Sequence, residues 1–127
     1  MFNENLSQTA QQLVKNCNTG KEAQGLKQLY ADNCISAEAV AMPGMENREI
    51  QGVQAIQGKH DWWNSAHEVH SQNANGPFMH GDDKFSVVFD MDITNKETGD
   101  RQKMQEVGMY TVDTQGKIVR EEFFYSS

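Results

Sequence analysis

Positive charge is scarce in this chain. Eleven Lys and Arg stand against 18 Asp and Glu, giving a net charge of −7 and an isoelectric point near 4.9. With no basic patch to interrupt that balance, a nucleic-acid backbone or an anionic membrane would be repelled, so neither is expected as a partner. Long apolar runs are missing too: nowhere do about 18 consecutive apolar residues occur. Met1 opens directly on a polar, amphipathic segment without the charged-then-apolar pattern of an export signal, which predicts a soluble, cytoplasmic protein. Cysteine occurs twice, at Cys17 and Cys34, positions that read as small buried thiols rather than a disulfide or a metal pair. There is no CxxC or HExxH, and His67-Glu68-Val69-His70 spans a helix end, so no metal site is expected. The glycines stand singly, which excludes a phosphate-cradling loop, and nothing calls for a cofactor. Ser36 and Ser65 lack a Ser/His/Asp setting and the cysteines lack an evident base, so covalent catalysis is not expected.

What is present is a strong β pattern near the C-terminus. Residues 101–125, RQKMQEVGMYTVDTQGKIVREEFFY, read as two strands joined at Asp113-Thr-Gln-Gly116, where Gly116 supplies the positive φ of a tight loop. Pairing Val112 with Lys117 sets Gly108 against Glu121 and Glu106 against Phe123. Glu106 and Glu121 then become diagonal neighbours on one face, beside Met104, Tyr110, Val119, Phe123 and Tyr125. The preceding run, Lys84–Thr94, alternates strictly, with Phe85, Val87, Phe89, Met91 and Ile93 on one side. Pairing Thr94 with Arg101 opposes Phe89 to Glu106, so the apolar face and the two-glutamate face coincide. Carboxylates projecting into apolar surface suggest a ligand pocket. Desolvation and mutual repulsion should raise the titration of at least one of them.

Upstream, Phe2, Leu6, Ala10, Leu13 and Cys17 mark an amphipathic helix, and Thr19 with Glu22 fits a capping box opening a second helix with Ala23, Leu26, Leu29 and Tyr30 inward. Cys34–Met42 reads as a strand and 43–51 as a loop or short hairpin. A third helix from Gly52 to about Glu68 carries Val53, Ile56, His60, Trp63 and His67 on one stripe, and of Trp62 and Trp63 only the latter shares it. Residues 69–80 predict an irregular strand bent at Gly76-Pro77. Helices gathered early and a terminal meander imply one α+β domain over residues 1–127, with helices on one side of a curved sheet.

The order of elements, with Leu29-Tyr30-Ala31-Asp32-Asn33, Gly52-Val53-Gln54-Ala55-Ile56 and Gly116-Lys117-Ile118-Val119-Arg120-Glu121, resembles the nuclear transport factor 2-like superfamily, in its SnoaL-like and ketosteroid-isomerase-like branches. That resemblance implies a cone-shaped, barrel-like α+β fold, a curved antiparallel sheet wrapped around N-terminal helices with a pocket between them, often dimeric. By the same resemblance, Glu38 falls where the isomerases carry their carboxylate base. Their first-helix tyrosine would fall near Leu13-Val14 and their protonated aspartate at Gly108, so both oxyanion donors are replaced here. The expected catalytic groups are therefore Glu38, Glu106 and Glu121. His60, Trp63, His67, Phe89, Tyr110, Phe123 and Tyr125 are the expected substrate contacts. Two functions fit: a cofactor-independent isomerase, lyase or hydrolase acting on a small apolar, carbonyl-bearing molecule, or a module that binds such a molecule without changing it. A homodimer is expected through the outer sheet face, where Val88, Val107, Met109, Ile118 and Phe124 form an apolar patch.

Overall fold

A computed structural model describes residues 4–41 and 44–125. Three helices and six strands follow one another among these residues: α1 (Glu4–Asn18), α2 (Glu22–Leu29), β1 (Tyr30–Ala37), β2 (Glu49–Gln51), α3 (Val53–Ala66), β3 (His67–His80), β4 (Lys84–Asn95), β5 (Arg101–Val112) and β6 (Ile118–Phe124). Phe2 and Met42, assigned from the sequence to the first helix and first strand, lie outside the described residues. The strands form one curved, unclosed sheet in the order β2-β1-β6-β5-β4-β3, the cone-shaped α+β arrangement. It is mixed rather than wholly antiparallel, because β1 runs parallel to β6. No helix among the described residues is long and apolar enough to cross a membrane.

The apolar stripe of α1 is buried as its spacing requires, with Leu6 and Ala10 fully covered and Leu13 nearly so. Its first half is fixed to the β5–β6 turn, where the Thr9 hydroxyl donates to the Gly116 carbonyl at 2.6 Å. Its end is fixed to β3, where Asn18 and Ala74 exchange two hydrogen bonds. The capping box does not form. Thr19 instead returns its hydroxyl to the Lys15 carbonyl at 2.7 Å, and Lys21 precedes α2 with no side-chain cap. A Thr so close to the end of α1 finds a free carbonyl nearer than the next helix's amides.

The β4–β5 register is the one the alternation predicts, Phe89 opposite Glu106 and Val87 opposite Gly108. The β5–β6 register is not. Gly108 pairs with Phe123 and Tyr110 with Glu121, because the turn closes one residue wider: Asp113 N–H donates to the Lys117 carbonyl at 2.9 Å, and Asp113 Oδ1 accepts from the amides of Gln115 and Lys117. A bulge between Thr111 and Val112 completes a net shift of two. An even shift keeps faces, so Glu106 and Glu121 still point the same way. They are not diagonal neighbours, since Glu121 lies opposite Tyr110, four residues from Glu106, or about 13 Å along the strand. The bulge also turns Ile118 into the core, fully buried, so it leaves the outer patch to which its sequence position assigns it.

Candidate functional site

A cavity of about 480 Å³ lies between the sheet and the helices. Leu13, Asn16 and Cys17 of α1 and Leu26 and Leu29 of α2 line one side. His60 and Trp63 of α3 close another, and Phe89, Met91, Glu106, Tyr110, Glu121 and Phe123 of the sheet form the floor. α3 buries only Ile56 fully, so its inner stripe roofs the cavity instead of filling a core. Beneath the floor Phe85 stacks on Tyr110 at 4.9 Å, and Phe123 meets Tyr110 edge-on at 6.3 Å. Gly108 admits this arrangement. A Cβ there would stand 2.9 Å from the Tyr110 ring and 3.1 Å from the Phe89 ring, so the volume an aspartate would need is already filled with aromatic carbon.

Seven of the ten side chains expected at the site line this cavity: Glu106, Glu121, His60, Trp63, Phe89, Tyr110 and Phe123. His67 does not line it. Its ring stacks on Trp63 at 4.5 Å and its Nδ1, facing a carbonyl that can only accept, donates to Trp63 O at 2.9 Å. Glu38 and Tyr125 also stand outside the lining. They meet each other, the Tyr125 hydroxyl donating to Glu38 Oε2 at 3.1 Å.

The carboxyl groups differ sharply in their surroundings. Glu121 is fully buried, and both its oxygens accept hydrogen bonds, from Tyr30 at 2.5 Å and from Ser36 at 2.7 Å. Ser36 in turn accepts from the Lys59 ammonium at 2.5 Å, and the same ammonium bridges Glu38 Oε1 at 2.7 Å. A continuous chain thus runs Tyr30, Glu121, Ser36, Lys59, Glu38, Tyr125. Lys59 also lies 5.2 Å from the Phe123 ring centroid, within cation–π range. Glu106 has no hydrogen-bond partner among the described residues and is only partly covered. Its carboxyl titrates at about 7, raised first by desolvation, then by the charge of Glu38 and more weakly of Glu121, and opposed by Lys59. Burial and the Glu121 charge push Tyr30 and Tyr110 well above the usual phenol range. Burial holds the thiols of Cys17 and Cys34 up at about 12, where they are poor nucleophiles.

Lys59 is the residue sequence reasoning overlooked. Its position three after Ile56 and four before Trp63 puts it on the inner stripe of α3, and a lone cation on an apolar stripe was the available signal. Ser36 and Tyr30 gave no such signal, since their partner is 85 and 91 residues away. Among the described residues no group of three or more His, Cys, Asp or Glu is arranged to hold a metal.

A mixed, curved, unclosed six-stranded sheet with three helices is the cone-shaped architecture of the nuclear transport factor 2-like proteins. Within them, the SnoaL-like domain matches residues 6–125, and the chain belongs to that family. A provisionally named SnoaL-like polyketide cyclase and carbohydrate phosphatase from Mesorhizobium loti is 36% identical, with a TM-score of 0.85 over 94% of this chain and 97% of that one. Two more distant structures share the fold. One is a Mycobacterium tuberculosis protein in complex with estradiol-17β-hemisuccinate, at 17% identity and TM-score 0.71 over 92% of this chain and 91% of that one. The other is the Δ5-3-ketosteroid isomerase of a Mycobacterium species, at 14% identity and TM-score 0.71 over 96% and 93%. No curated protein matches the sequence.

Proposed function

We propose that this protein acts without a cofactor on a small, largely apolar molecule bearing a carbonyl group, as an isomerase, lyase or hydrolase, with Glu106 moving the proton. The observation that carries this reading is the contrast among the glutamates. Glu121 is fully bonded and Glu38 is ion-paired, whereas Glu106 faces the cavity unbonded and titrates at about 7. An acid poised near neutrality both gives and takes protons efficiently. Phe89, Tyr110, Phe123 and Trp63 supply the apolar wall for the ligand's body, with His60 a further titratable group on the same lining. Glu38 and Glu121 complete the carboxylate set by holding charge around Glu106. The relatives' names, a polyketide cyclase and a ketosteroid isomerase, and the bound steroid ester of a third, agree with a ring-bearing ketone or lactone in a cavity of this volume.

The full bonding of Glu121 and Glu38 favours a second reading, in which the cavity binds such a molecule and releases it unchanged. A thermal-shift screen of apolar ketones, lactones and polyketide-like compounds, followed by mass spectrometry of the recovered ligand, separates the two. Conversion that disappears in Glu106→Gln supports the enzyme. Binding with the ligand recovered intact supports the module, and no stabilisation by any member of the screen rejects both.

A further inference from the structure

Three inward carboxyl groups, Glu38, Glu106 and Glu121, share one cation. Lys59 sits with its side chain 9% exposed, its ammonium 2.7 Å from Glu38 and 2.5 Å from Ser36, whose hydroxyl passes the bond on to Glu121. Separate elements meet here: Ser36 and Glu38 lie two residues apart at the end of β1, Ser36 directly opposite Glu121 in the parallel β1–β6 pair, and Lys59 descends from α3. An ammonium has three donors and no acceptor, so two of the three are already committed here.

We propose that Lys59 is a positioning residue for the site. By bonding Glu38 directly and Glu121 through Ser36, it ties both carboxyl groups into the wall and leaves Glu106 as the one of these three free to exchange a proton with a bound molecule. The proposal rests on the reading of Glu106 as the working group. It adds that the identity of that group is decided by a lysine that does not line the cavity. Removing the ammonium would leave Glu38 and Glu121 without their cation, so two more carboxyl groups would compete for the proton that Glu106 carries. Glu106 therefore responds to Glu38 beyond β1, Lys59 on α3 and Glu121 on β6, with Cys17, Glu22 and His60 on the surrounding wall.

Carboxyl-resolved NMR titration of the unliganded protein tests this in three chains: the natural one, Lys59→Met and Glu38→Gln. In Lys59→Met the Glu106 midpoint moves upward from about 7, because the one neighbouring cation that lowers it is gone; in Glu38→Gln it moves downward. A merely loosened fold would hydrate Glu106 and bring both variants down toward about 4.5, so the opposite signs identify the electrostatic role. A midpoint in Lys59→Met that is unchanged or lower overturns the proposal. Should that variant not fold, the natural protein decides the question. Slowly exchanging Lys59 ammonium protons, with an Nζ shift that follows the Glu106 titration, sustain the assignment, and rapid exchange like that of a surface lysine ends it. None of these measurements needs a ligand, so failure to find a ligand or a reaction counts against the proposed function alone.

Discussion

At the scale of single residues, Glu106 couples proton binding to folding. Its carboxyl titrates at about 7 when folded and near 4.5 when exposed. Below 4.5 it is protonated in both states and costs nothing. Between 4.5 and 7 the unfolded chain ionises first, so stability is lost across that window and levels off above it. The loss is at most on the order of 3 kcal/mol. Urea denaturation at pH 5 and pH 8 should show the natural protein weaker at the higher pH by more than Glu106→Gln is. Equal pH dependence of the two would mean that Glu106 is not the group responsible. Alternation in the Lys84–Thr94 strand, carried across both loops by strand pairing, placed Glu106 and Glu121 inward. Their unequal surroundings were not legible. Desolvation and Glu38 dominate the effect on Glu106, and the expected repulsion by Glu121 is the weakest contribution, because the register separates the pair by four residues.

At the scale of elements, the β5–β6 turn is the joint between sheet and first helix. Gly116 has φ of +87°, and a Cβ there would stand 3.0 Å from Asn5 Cβ and 3.3 Å from Thr9 Oγ1. Gly116→Ala therefore meets both a strained backbone and a helix already in contact, and should cost about 1–3 kcal/mol in chemical denaturation. A change within a few tenths of a kcal/mol would show that α1 is not seated against this turn. The sequence located the turn but not its width, because Asp113 can bond amides on either side of the shorter closure. Helix stripes and the β4–β5 pairing were legible for the opposite reason: each is local, and a slip of one residue would bury the wrong face.

At the scale of the whole molecule, a half-exposed Phe124 and partly exposed Val88, Val107 and Met109 remain on the outer face of β4–β6 after Ile118 is removed to the core. We propose that this face joins two copies. Light scattering at micromolar concentration should give about twice 14.4 kDa for the natural chain and a smaller mass for Phe124→Asp. A natural chain that scatters as a monomer would end that assignment.

The sequence by itself determined most of the helices and strands and most of the side chains that turn inward, because periodicity and turn chemistry act over a few residues. β1 is an exception, running Tyr30–Ala37 where the pattern predicts a strand over Cys34–Met42, and Ile118 is another, buried where the pattern turns it outward. It also carried enough short motifs to identify the superfamily. Only the tertiary structure decided what those inward side chains meet. The parallel pairing of β1 with β6 sets Ser36 beside Glu121, and the descent of α3 brings Lys59 to Glu38. Such contacts join residues up to 91 positions apart. Their geometry is fixed by how the sheet curves and how the helices pack on it, and no local pattern in the chain encodes that distance.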